Sequence, residues 1–444
     1  MKTIKTIFLT IAIAILGIST NAQDMQYFRQ AGQDGLNVFE TKKTNTVEFE
    51  KLKVRVGGDF AIQFQALDHS NDMNNLTAIG GNVNLPTANL NFDVQLADGV
   101  RMHLRTFLSS RHHNETWVKG GYIQMDKLNF IKTDFMKSFM DIASIRVGVD
   151  QLNYGDAHFR RTDNAMAIYN PFVGNYIMDA YTVEPFIELT LQPKNFVIVA
   201  GLSNGLLNPS VNNAITPWGS TTIVGEKDLK ATLYGKVGYD SQINENLRVR
   251  LTGSFISEPG YHNGDHLYNG DRAGSRYYNL FNYNAAGEFK SGGDFSGRFN
   301  PGFKNNTSYQ LNPFIKYNGL EFFGIFEKSK GKKVETNEEG SFTQFGSEVI
   351  YRFGDNNQFY VGGRYNTVKG NADYASGSMA SEQKITRTNI GAGWFMTKNI
   401  LMKAEYVKQT YNSDATAWSP NAWTPAVLSG AQMNGMVIEA VISF

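Results

Sequence analysis

Not one of the 444 residues is cysteine. That absence excludes disulfides, thiolate catalysis and Cys-ligated metals. An excess of either charge is also missing: Lys plus Arg number 42 and Asp plus Glu 41. The balance argues against a strongly acidic or basic partner, and no segment resembles a nucleic-acid-binding module. Proline is scarce, with 11 residues, and no Pro-rich linker or solenoid-period repeat divides the chain. Past the first residues, no apolar run approaches the roughly 18 residues a membrane-spanning helix needs. A helical membrane protein is thereby excluded. Glycine (43) and aromatic residues (13%) are plentiful instead.

The N-terminus carries an address. Lys2 and Lys5 precede an apolar core from Ile7 to Ile18, and Thr20-Asn21-Ala22 supplies small residues before a cleavage point. This is the layout of a secretory signal peptide, residues 1–22, cut after Ala22. Residues 23–50 are polar with charges of both signs, and are read as a short periplasmic lead-in. Residues 51–444 form the remaining unit.

That unit alternates. Val54, Val56, Phe60, Ile62, Phe64 and Ala66 face away from Arg55, Asp59, Gln63 and Gln65. Leu90, Phe92, Val94 and Leu96 face away from Asn91, Asp93 and Gln95, and an Asp98-Gly99 turn follows. Period two with one apolar and one polar face is a strand between two solvents. At the C-terminus Met436, Ile438, Ala440, Ile442 and Phe444 make one apolar face that ends on an aromatic. The pattern recurs about sixteen times. Short links at Asp98-Gly99, Asn318-Gly319 and Thr397 to Asn399 alternate with long polar links such as Asp68 to Ala88 and Gly205 to Asp228. The expected fold is all-β: a transmembrane antiparallel barrel with short periplasmic turns and long outer loops in a Gram-negative outer membrane. Lys127 to Ala143 is long for a periplasmic turn and leaves room for a small helix. Tyr277 to Phe289 reads as a further hairpin, so eighteen strands is the alternative. Tyr317, Phe353, Phe359, Trp394, Tyr406 and Tyr411 fall near strand ends, as interfacial girdles do.

If the apolar faces meet lipid, the opposite faces line a lumen. Arg55, Arg101, His103, Arg105, Arg146, Lys230, Lys236, Arg248, Arg250, Arg364 and Lys403 are among its cations. Asp59, Asp93, Asp150, Glu184, Glu188, Asp240, Glu348 and Glu439 are among its anions. So many charges need water or partners, and a hydrated channel supplies water. Cross-strand pairing that serves only the barrel is the alternative. The long link Asn153 to Ala180 holds Asp156, His158, Arg160 and Arg161 among apolar residues. Folded inward, it would narrow the pore and bring Arg160 and Arg161 to Arg101, Arg105 and Arg146, opposed by Asp150 and Glu184 or Glu188. Guanidinium clusters suit carboxylate and phosphate. These eight residues are the expected constriction.

The strand Leu52 to Phe60, the loop Gly155-Asp156-Ala157-His158-Phe159-Arg160-Arg161 and the terminal Phe444 together resemble porins of the phosphate-selective O/P type. The resemblance implies a sixteen-stranded, usually trimeric outer-membrane channel with inward loops and arginine-lined walls. This chain differs in one respect, since its inward charges nearly balance.

Other chemistry is weakly signalled. Gly201-Leu202-Ser203-Asn204-Gly205 matches G-x-S-x-G, but the strand runs toward Pro209 instead of into a helix, so no enzyme is expected. His103, His112, His113, His158 and Asp156 lack metal-ligand helix spacing, and no cofactor is called for. Lys328 to Lys333 reads as a basic outer loop that could meet lipopolysaccharide. A transporter of hydrophobic solutes would need an N-terminal plug, for which Asp24 to Glu50 is short. A closed barrel with an enzymatic or scaffold role is the other alternative.

Overall fold

The computed structural model describes residues 25–44, 47–108, 116–162, 166–204, 214–215, 225–226, 230–259, 267–268, 277–285, 287–290, 297–303, 305–332, 339–372, 381–418 and 426–444. The leader 1–22, His112 and His113 lie outside them.

Sixteen antiparallel strands close into one barrel. The first is Lys53–Ser70 and the last Gln432–Ser443. These two pair directly, with Ile62 opposite Ala440 and Phe60 opposite Ile442. Closure removes every sheet edge, which is what lets a sheet sit in lipid. All sixteen strands expected from alternation are present. The hairpin near Tyr283 also exists, as Tyr283–Ala285 paired with Glu288–Lys290, but it forms a separate two-stranded sheet. The barrel therefore has sixteen strands and not eighteen. The long turn before Ala143 does hold a short helix, Lys137–Met140.

Alternation decides which side chains face out. Val54, Ile62, Phe64, Leu233, Val237, Ile438 and Phe444 are exposed on the outer wall. Polar partners one position along point in, as Gln63, Lys236 and Glu439 do. At the short-turn end a ring stack runs along the outside from Tyr351 to Phe353 (6.1 Å), Phe359 (5.7 Å) and Trp394 (6.2 Å). Rings at that height form the girdle where lipid meets headgroups. Tyr411 does not belong to it. Tyr411 shares parity with Lys403 and Glu405, faces the lumen, and packs edge-on against Phe281 and Trp418.

Several strands run further than the lipid-facing pattern suggests. Leu320–Lys332 carries Lys328 and Lys330 on its outward face, so this basic stretch is strand as far as Lys332, and Lys333 lies outside the described residues. Above the lipid, ladder hydrogen bonds continue without any need for apolar alternation. Lys230 precedes the strand Thr232–Gln242 and is exposed, so it is not a wall residue of the lumen.

The outward face carries a direct test. An arginine at a mid-strand lipid position costs about 2–4 kcal/mol at the bilayer midplane. Ile438→Arg should lower urea stability in vesicles by that order. Val437→Thr, one residue along and lumen-facing, should cost clearly less. Equal losses would mean the two faces are misassigned.

Candidate functional site

The lumen is a lattice of charges, and strand pairing explains its order. Residues directly opposite on neighbouring strands share a face. Arg146 sits opposite Glu188 in the register and pairs with it at 3.1 Å. Lys403 sits opposite Glu439 and pairs at 2.8 Å. Arg364 and Glu348 follow the same rule at 2.8 Å, while Arg352 reaches Glu321 diagonally on the neighbouring strand at 2.9 Å. Arg105 reaches Asp150 across the intervening strand at 3.1 Å. The pairing alternative raised by the sequence is thus realised at these positions.

Two chain segments enter this lattice. The link Asn153 to Ala180 folds into the lumen, as its mixed composition suggested. Asp156 is its anchor: the carboxylate accepts from Lys236 (2.8 Å), Arg250 (2.8 Å) and Thr252 (2.8 Å) on the wall. Further along, backbone N–H groups donate to wall side chains, Val173 to Glu405 (2.8 Å) and Ile177 to Asn366 (2.6 Å). Such bonds satisfy the polar backbone of a buried loop.

The second segment is the N-terminal stretch read as a lead-in. Met25, Tyr27, Phe28 and Phe39 are buried. Gln26 exchanges hydrogen bonds with the Asp98-Gly99 turn at 3.2 and 3.0 Å. Asp34 meets Lys398 at 2.9 Å, and Asn37 donates to Glu321 at 2.6 Å. Glu40 reaches deepest, pairing with Lys236 (3.1 Å) and Arg250 (2.8 Å). Despite its brevity, the segment stands inside the short-turn mouth. The signal in the sequence was small: Tyr27, Phe28 and Phe39 are too apolar for a solvated leader. Burial alone would raise the Glu40 carboxyl, but Arg250 and Lys236 outweigh it and hold it at about 2.

The eight expected constriction residues do not form one ring. Arg101, Arg105, Arg146, Asp150 and Glu188 line a single cavity of about 210 Å³, with Phe28, Arg29 and Glu40 from the N-terminal segment and His158 and Phe159 from the inward loop. Arg101 is held by Asp126 at 3.0 Å. Arg160 and Arg161 are not brought to this group. Arg160 turns across the lumen to Glu348 and Asn37, and Arg161 binds Asp179 at 3.0 Å within its own loop. Glu184 is held by Thr182 (3.0 Å) and by the Ser203 hydroxyl. The loop dictates this: it enters with Asp156 tied to Lys236 and Arg250, which carries the following arginines past the early strands.

Ser203 lies on a strand, Phe196–Ser203, with its hydroxyl donated to a carboxylate, unlike a nucleophile on a sharp turn. His158 bonds Asn153 at 3.0 Å and His103 bonds Asp93 at 2.6 Å. Asp156 is taken up by cations, so these three do not converge on a common point.

Toward the long-loop end the lumen is apolar. Ile177, Met178, Tyr277, Leu280 and Phe281 from entering segments pack with wall residues Phe342, Val368, Ile385, Val407 and Val437. These wall positions are apolar on the inward face as well. Two-sided apolar strands are the sign in the sequence that entering segments pack on the wall at this end.

The closed sixteen-strand topology with inward-folded segments decides the comparison with known structures. The fold is that of an outer-membrane barrel. It is shared with the outer membrane channel DcaP of Acinetobacter baumannii, at a TM-score of 0.54 and 11% identity over 89% of this chain and 98% of that one. It is shared also with a loop L8 deletion mutant of OmpT, an outer membrane protein of Vibrio cholerae, at a TM-score of 0.51 and 10% identity over 89% and 100%. The chain matches no protein-family model and no curated protein sequence. At such identities the likeness is one of fold.

Proposed function

We propose that the protein is a porin-like outer-membrane channel for passive diffusion of small hydrophilic solutes, with a preference for anions such as phosphate. The supporting observation is a closed barrel whose inward face carries the arginine-lined cavity of about 210 Å³. Solutes pass through a hydrated path narrowed by the N-terminal segment and the loop Asn153 to Ala180. Arg101, Arg105 and Arg146 attract the anion, and Asp126, Asp150 and Glu188 position them. Resemblance to the phosphate-selective O/P type supports the same reading, and includes a homotrimer, which the particle mass in detergent tests. The leader directs export, the short turns face the periplasm, and no catalytic step is involved. Lipopolysaccharide contacts the long-loop rim, where Lys369 and Lys384 face each other across two strands on the outer wall. Like charges placed so are unfavourable unless an anion joins them.

One observation favours a second reading, a transporter of hydrophobic solutes: the N-terminal segment occupies the mouth as a plug would.

Single-channel recording in a planar bilayer, with reversal potential under a salt gradient, separates the two. Stepwise conductance with anion preference, lowered by Arg105→Ala, is expected. Silence in a folded, inserted sample removes the porin reading and favours the transporter.

A further inference from the structure

The cavity beside the early strands holds an excess of unused hydrogen-bond donors. The guanidinium N–H groups at Arg29 Nη2, Arg105 Nε and Arg146 Nε are all buried, and none has a partner. All three residues line the same cavity. Nearby carboxylates are already committed: Asp150 to Arg105, Glu188 to Arg146, and Asp93 to Arg55 and His103. A buried donor left without a partner is costly, so three around one cavity call for an occupant.

Arg29 is the unusual member. Its Nε donates to the Gly35 carbonyl at 2.9 Å and its Nη1 to the Phe159 carbonyl at 3.1 Å, while its plane lies 3.5 Å from the Tyr169 ring centroid. Among the described residues no carboxylate pairs with it. Burial lowers its pKa to about 10, Tyr169 opposing and Arg160 adding to the shift, so it stays charged at neutral pH. A held guanidinium without a counter-charge, aimed into a cavity of spare N–H groups, has the chemistry of an oxyanion receptor.

We propose that this cavity binds one small oxyanion, a carboxylate or a phosphate, and that Arg29 of the N-terminal segment completes the site. The inference deepens the channel reading and rests on it for the anion's passage. It gives the segment a second role: besides narrowing the mouth, it supplies a ligand-contacting residue that the barrel wall lacks. The cavity of about 210 Å³ has room for a small anion.

Isothermal titration of the full-length folded protein in detergent, at constant ionic strength, tests it. The probes are inorganic phosphate and, separately, acetate and succinate. Saturable one-to-one uptake of phosphate or of a carboxylate is expected, and which probe binds names the class. Arg29→Gln should weaken binding about tenfold or more, the loss of a hydrogen bond to a charged group. Arg105→Gln, altering the wall and not the segment, should give a similar loss, so the test survives a variant whose segment fails to dock. Lys137→Gln, on the exposed turn helix and outside the cavity, should bind as the parent does. No saturable uptake of any probe, or unchanged binding in both cavity variants, means that the cavity holds water only and overturns the inference. Anion-selective conductance without saturable binding would defeat this inference and spare the channel reading. Binding dependent on Arg29 in a barrel that does not conduct would do the reverse.

Discussion

Removing residues 25–50, with the leader kept, should raise single-channel conductance several-fold and broaden the range of solutes that pass. The segment is tied to the mouth by Gln26, Asp34 and Asn37, and to the mid-lumen wall by Glu40. None of these ties belongs to the barrel ladder, whose sixteen strands close without it. The deletion should therefore leave the barrel folded and resistant to detergent while widening the path. Acid should act in the same direction. The folded pKa of Glu40 lies below its ordinary 4.5, at about 2. Its stabilising contribution is complete above 4.5 and fades as pH falls toward 2. Conductance of the intact protein should rise across that window, and the rise should be blunted in Glu40→Gln, which has lost this tie at every pH. Unchanged conductance in the deletion would mean that the narrowest point lies elsewhere, in the inward loop.

The second large effect concerns Asp156. It is fully buried and accepts from Lys236, Arg250 and Thr252. Removing one partner of a buried ion cluster strands the others, at a typical cost of about 3–5 kcal/mol. Glu40 and Asp240 also pair with Arg250, so the loss should fall at the lower end of that range. Asp156→Ala should release the start of the inward loop, lower the urea midpoint and produce noisier, larger conductance steps. Asp141→Ala, which removes the exposed pair with Lys137 on the turn helix, should change neither. If the two substitutions behave alike, the Asp156 cluster does not anchor the loop.

The barrel was legible because strand parity is a local property. Each strand is bounded by water on one side and lipid on the other, so the alternation at Val54, Val56 and Ile62 reports its own orientation without knowledge of a neighbour. Sixteen strands, the outward Phe444 and the turn at Asp98-Gly99 follow from that. The same parity would have placed Tyr411 inward, since Lys403 and Glu405 share its face.

Sequence by itself determined the fold, which face of most strands meets the lumen, and that the link Asn153 to Ala180 was too apolar to stay in solvent. Only the tertiary structure decided who pairs with whom inside. Arg160 meets Glu348, far off in the chain, because Asp156 fixes where the loop enters. The N-terminal segment enters the mouth for a similar reason: Glu40 finds Lys236 and Arg250 on two adjacent strands, a juxtaposition created by barrel closure. Ion pairs and loop docking depend on distances between strands remote in sequence, and those distances exist only once the sheet has closed.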